Sequence, residues 1–143
     1  MDGNQLLRHY LSSVERDVGT QSMSNHEIVA YLEPRLGPMF RGVYDVAGQP
    51  SDMSGGPFCF IVNTHPSPEP GHWVLVAHSP HRTPVAFDSY GRFFGPGFLE
   101  RLQGHARTNA DVDQFRREHC GQLCCAATVL FRDRGLDVLR ASA

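Results

Sequence analysis

"HWVLVAHSPHRTPVAFDSY", residues 72 to 90, sets two apolar runs rich in β-branched and aromatic residues on either side of "SPHRT". Runs of this length and composition, bounded by turn-forming residues, read as an antiparallel hairpin, so a sheet is expected in the middle of the chain. The pairing has a chemical consequence. If the numbers of opposed residues sum to an even value, His72 at the start of one strand and Asp88 near the end of the other lie directly or diagonally opposite on one face, within side-chain reach. An odd sum separates them.

Working outward, "FCFIVNT" (58–64) is expected to be a short buried strand, and "HPSPEPG" after it a loop, because its three prolines remove ladder donors. Residues 35–57 are dense in Gly and Pro and read as turns and loop. Before them, Ser24 and Glu27 have the spacing of a capping box ahead of "IVAYL", with Pro34 ending that helix. Leu7, Tyr10, Leu11 and Val14 recur at helical spacing over residues 4–16. Beyond the hairpin, "FLERLQG" (98–104) reads as a helix. In "HCGQLCCAATVLF" (119–131), Leu123, Ala127, Leu130 and Phe131 form the buried stripe of another. The fold class expected is α+β: a mostly antiparallel sheet packed on a central helix that begins at Cys120.

At 143 residues, 41% hydrophobic and 20% charged, the chain has the apolar content for one domain with a single core. Its longest largely apolar run, Cys124 to Phe131 with Thr128 inside it, is far short of the roughly 20 residues that span a bilayer, and "MDGNQLLRHY" lacks the basic-then-apolar pattern of a signal peptide. A soluble, intracellular, non-secreted protein is therefore expected, with no membrane partner. A formal net charge of −2 provides no long-range attraction for nucleic acid. All 13 basic residues are arginine. Protection from lysine modification and a GC-rich coding bias both account for that, and the coding bias is the simpler account.

Three of the four cysteines, Cys120, Cys124 and Cys125, fall within six positions, and Cys59 stands apart. Two adjacent cysteines and one isolated cysteine make a poor disulfide framework. A zinc site is disfavoured by spacing, because Cys120 and Cys124 are one helical turn apart and Cys125 points about 100° away from Cys124. "HSPH" (78–81) holds further ligand types, but in a hairpin turn polar residues need no special reason. The remaining reading is a nucleophile. Cys120 opens the helix, where free amides and the helix dipole stabilise a thiolate, whereas Cys124 and Cys125 lie inside it and suit a packed core. His72, beside Trp73 and with Asp88 expected to face it, is the basic partner such a thiol needs.

"GHW", "FDSYG" 16 residues on, then a glutamine, then "CG" six residues after it, together resemble the adenovirus endopeptidases (adenains) and the related ubiquitin-like-protein (SUMO) proteases, in the order His, acid, Gln, Cys. "LGPMFRGVYD", "FIVNT" and "CGQLCC" extend the likeness, which covers residues 26–131 and leaves 1–25 as an N-terminal helical extension of one cysteine protease domain. The resemblance implies an adenain-like fold with Cys120 as nucleophile, His72 as general base, Asp88 orienting His72, and Gln114 donating to the oxyanion. Gln122 competes with Gln114 for that last role, but its place inside the helix favours Gln114. Trp73 is assigned to the wall of the substrate cleft, with an ordinary buried strand tryptophan as the competing reading. The acid is a glutamate in the adenains, so Asp88 departs toward the ubiquitin-like-protein proteases and demands a closer approach of the strands.

The resemblance further implies a thiol protease that cleaves after glycine, at Gly-Gly-type sites, in viral capsid precursors during virion maturation, located in the host nucleus or the virion. A SUMO-protease-like or deubiquitinase-like effector is the enzymatic alternative, and a non-enzymatic binding module the outside one. A monomer acting on a protein or peptide substrate is expected, with no required metal or cofactor. The adenains are stimulated by DNA and by a viral peptide disulfide-bonded to a cysteine between the acid and the nucleophile. Residues 89–119 contain no cysteine and hold five arginines (92, 101, 107, 116, 117) against four acids (100, 111, 113, 118), a balance of +1. Strong DNA binding is therefore not expected, and at most weak, non-covalent activation by DNA or a viral peptide.

Overall fold

The computed structural model describes residues 3–45, 54–63, 73–88, 106–109 and 120–141. Helix α1 (Gly3–Val18) and helix α2 (Asn25–Leu36) precede strands β1 (Phe40–Asp45), β2 (Phe58–Asn63), β3 (Trp73–His78), β4 (Val85–Asp88) and β5 (Ala106–Asn109). Helices α3 (Cys120–Arg134) and α4 (Leu136–Ala141) follow. The strands form one sheet in the order β1-β2-β3-β4-β5. The class is α+β.

The sheet is mixed, which corrects the mostly antiparallel expectation. β2–β3 and β3–β4 are antiparallel, whereas β1 pairs with β2, and β4 with β5, in parallel. Parallel neighbours need a crossover of about a dozen residues or more, and residues 46–57 and 89–105 supply that length on the two sides. β1 lies in a stretch expected to be loop. Its pattern is disguised by a bulge between Phe40 and Val43, where two residues of separation on β2 are matched by three on β1. Gly42 sits in that bulge with φ 103°, a conformation costly for any residue with a Cβ. The edge strand β5, "ARTN", is too short and polar to stand out in the sequence.

The capping box forms as expected: the Glu27 amide donates to Ser24 Oγ at 3.2 Å and the Ser24 amide to Glu27 Oε1 at 3.0 Å. Contrary to expectation, Pro34 does not end α2. The helix continues to Leu36 and stops where the Gly37 N–H bonds the Glu33 carbonyl. An interior proline costs roughly 3 kcal/mol. Burial of Leu36 offsets about 2 kcal/mol of that, and the Arg35 guanidinium, 3.6 Å above the Tyr31 ring, adds to the last turn. The expected helix at 98–104 lies outside the described residues.

Residues alternating along the strands divide two apolar clusters. Cys59, Ile61, Trp73, Leu75, Ala77, Val85 and Phe87 face the helices, joining Leu7, Leu11 and Val14 of α1, Ile28 and Leu32 of α2, and Leu123, Ala127, Leu130 and Phe131 of α3. Phe58, Phe60, Val62, Val74, Val76 and Ala86 make the cluster on the other face. α1 is thus part of the main core, and Tyr10 Oη donates to Asp133 Oδ2 at 2.8 Å to tie it to the end of α3.

Candidate functional site

The β3–β4 ladder opposes Leu75 with Phe87, Val76 with Ala86 and Ala77 with Val85. The numbers of each opposed pair sum to an even value. Continued by one residue, the ladder sets position 88 against Val74, so the end of β4 lies beside the start of β3. The parity is the one under which positions 72 and 88 share a face. His72 itself, Gln114, and the side chains of Asp88 and Cys120 lie outside the described residues. Position 88 also has the parity of Val74, Val76 and Ala86, the face away from α3. A Cys120, His72 and Asp88 constellation would therefore have to assemble around the ends of the strands, not across the covered face.

Cys120 is the first residue of α3, and no acidic residue stands in that first turn. Free amides and the positive end of the helix dipole favour a thiolate at such a position. The other three cysteines have the opposite setting. Cys59, Cys124 and Cys125 are buried and not disulfide-bonded, and burial pushes the Cys59 and Cys125 thiols up to about 12. They pack as small apolar residues, as the sequence suggests for Cys124 and Cys125.

The start of α3 is fastened to the connector between α1 and α2, and the start of β3 to Asn25, the first residue of α2. Gln122, fully buried, donates through Nε2 to the carbonyls of Gly19 (3.1 Å) and Gln21 (2.6 Å). One residue earlier, Gly121 packs so closely on Met23 that an added Cβ would stand 3.0 Å from the Met23 Cβ. Trp73, the first residue of β3, is 6% exposed and donates through Nε1 to Asn25 Oδ1 at 2.9 Å. The first turn of α3 and the first residue of β3 are thus tied to residues 19–25, and β4 ends beside the start of β3. The indole of Trp73 is a member of the helix-facing core.

Both amide hydrogens of Gln122 are committed to backbone carbonyls, so in this arrangement it has none free to donate elsewhere. Sequence reasoning missed what Gln122 does instead. The available signal was a polar side chain directly ahead of the apolar run of α3.

The "HSPH" segment holds one further buried polar atom. His78 Nδ1 is buried with no hydrogen-bond partner among the described residues, its ring lies 4.8 Å from that of Phe58, and burial, together with the Arg41 charge, lowers its pKa. Among the described residues, no group of three or more His, Cys, Asp or Glu side chains is arranged to hold a metal, and no helix is long and apolar enough to cross a membrane.

"MSGGP" (53–57) resembles a Gly-Gly cleavage sequence and so raises self-processing. Residues 54–57 are exposed, but Arg41 Nη2 donates to the Ser54 carbonyl at 3.4 Å and Gly55 has φ 107°. A protease that binds an extended backbone would have to straighten this turn, and Pro57 hinders attack at the bond it follows. Intact-mass measurement after long incubation is expected to return the undivided chain; a fragment ending at Gly56 in the wild type, absent from Cys120→Ala, would overturn this.

No protein-family model matches the chain, and no curated protein matches it.

Proposed function

We propose that the chain is a cysteine endopeptidase cleaving after glycine at Gly-Gly-type sites, with an adenain-like arrangement of groups. The observation that carries this reading is the shared fastening of two chain ends. The helix start bearing Cys120 is held by the connector residues Gly19 and Gln21, the strand start following His72 is held by Asn25 where that connector enters α2, and β4 ends beside that strand start at Asp88.

In the proposed reaction the Cys120 thiolate attacks the scissile carbonyl carbon, and the carbonyl electrons move onto oxygen. The oxyanion is received by the Cys120 backbone amide and the Gln114 side chain; one such donor typically contributes about 100- to 1,000-fold in rate. His72, protonated in the resting ion pair and oriented by Asp88, delivers its proton to the leaving amine as the C–N bond breaks. Water, deprotonated by His72, then attacks the thioester carbonyl and expels the Cys120 thiolate, which releases the carboxyl product and restores the resting ion pair. Trp73, buried in the helix-facing core, would support the wall of the cleft from behind. No metal or cofactor enters these steps, and capsid precursors processed in the nucleus or virion are the substrates proposed.

A second reading has its own support. Aspartate at position 88 and the six-residue offset of Gln114 from Cys120 are nearer the ubiquitin-like-protein proteases, which act on the Gly-Gly tail of a folded modifier. The deciding experiment compares turnover of a short Gly-Gly peptide with that of ubiquitin-like modifiers, each with Cys120→Ala as control. Peptide cleavage without modifier cleavage supports the maturation protease, the reverse supports the modifier protease, and neither removes both. DNA added at low salt is expected to stimulate turnover well below about a hundredfold, given the near-neutral balance of residues 89–119.

A further inference from the structure

We infer that Gln122 is a positioning residue, which sets the first turn of α3, and with it Cys120, against the start of β3 by way of residues 19–25. The inference rests on the protease reading and names the part of the fold that brings that site together.

Gln122 is a poor choice for stability alone. It is fully buried in an otherwise apolar stretch of α3, where a leucine of similar volume would pack without polar atoms to satisfy. Its Oε1 is buried and has no hydrogen-bond partner among the described residues. A buried amide with one end unsatisfied is a standing penalty. What it provides in return is direction. Only the amide nitrogen can donate to two carbonyls, so the bonds to Gly19 and Gln21 fix both the depth and the rotation of the helix start. An apolar contact fixes neither so narrowly.

The receiving segment is suited to the task. Residues 19–24 belong to no helix or strand ladder, so the two carbonyls have no competing ladder partner. The segment is pinned at its far end by the Ser24 capping box, and the next residue, Asn25, accepts the Trp73 indole hydrogen. Met23 presses on Gly121 between these points. A shift of Gln122 is thus transmitted to the strand that follows His72 through a short, internally bonded piece of backbone. The alternative route between Asp88 and Cys120 runs through 31 intervening residues, 89–119, and cannot hold two reacting groups to a fraction of an ångström by covalent connection alone.

Gln122→Leu retains volume and removes both bonds. Asn25→Ala removes the second fastening from a half-buried position beyond the helix cap, where it threatens folding little. For each, kcat and KM on a Gly-Gly peptide are measured beside the thermal midpoint and the pH profile of alkylation by iodoacetamide. In the folded protein the alkylation reports Cys120, because the other three thiols are buried. Displacement of the nucleophile by a fraction of an ångström is expected to lower kcat about tenfold or more in Gln122→Leu, with KM within about twofold and the alkylation midpoint moved to higher pH. Asn25→Ala is expected to show the same pattern at about threefold. A Gln122→Leu protein with wild-type kcat and alkylation profile overturns the inference, whatever its thermal midpoint, because a merely structural role would lower only that midpoint. If Gln122→Leu does not fold, unchanged kcat in Asn25→Ala overturns it. Failure of the protease reading shows separately, in the wild type: no peptide turnover and an ordinary thiol alkylation profile remove the reading and the inference together.

Discussion

Cys120→Ala is expected to lower Gly-Gly peptide turnover by a factor on the order of 10⁴ or more, while Cys124→Ala and Cys125→Ala keep most of it. The difference follows from where each thiol sits on one helix. Cys120 opens α3, where the unpaired amides and helix dipole favour the thiolate, and the proposed reaction passes through its sulfur in both half-steps. Cys124 and Cys125, four and five residues on, are buried among apolar neighbours. Burial raises the Cys125 thiol to about 12, so at neutral pH it is protonated and unreactive. Removing either sulfur leaves a small void and lowers stability by about 1–2 kcal/mol. Equal loss of turnover in all three variants, with folding intact by circular dichroism, would instead indicate thiols acting together.

Phe87→Ala is expected to destabilise the fold by about 3–5 kcal/mol, the range for truncating a fully buried phenylalanine. Phe87 is 1% exposed, stands opposite Leu75 in the antiparallel ladder, and lies in the cluster shared with α1, α2 and α3. Total stabilities of natural domains are about 5–15 kcal/mol, so one side chain here accounts for a large share. Urea denaturation checks this directly: the midpoint should fall sharply at unchanged slope, and a loss below about 1 kcal/mol would mean that the sheet and helix layer repack around the gap. Because Phe87 immediately precedes Asp88, the surviving folded fraction should also turn over peptide more slowly.

Local periodicity made the helices and the central hairpin legible. The stripe Leu7, Leu11, Val14 and the run Leu123 to Phe131 appear as α1 and α3 with those residues buried, because amphipathic spacing depends only on residues one turn apart. Ser24 and Glu27 likewise signal a cap that is closed within four residues. The hairpin strands "WVLVAH" and "VAFD" pair antiparallel as expected, since a short connection permits little else. Of the site, the sequence supplied the residue types and the position of Cys120 at a helix start.

What the sequence could not determine lies in contacts between distant segments. The mixed sheet depends on β1 and β5 adding to opposite sides by long crossovers, and neither the bulge at Gly42 nor the four residues of β5, three of them polar, leave a strong alternating pattern. Pro34 looked like a stop, but burial of Leu36 two residues later carried α2 past it. The even register of β3 and β4 could be posed in advance only as a condition, because a one-residue slip changes every facing pair while leaving each strand's composition the same. Gln122 could be noticed and not explained, since its partners at Gly19 and Gln21 stand about a hundred residues away. Propensity, capping and amphipathic spacing act over one or two turns of chain and are written in the sequence. Register, strand direction and the partners of a buried amide depend on which distant surfaces meet, and only the tertiary structure decides that.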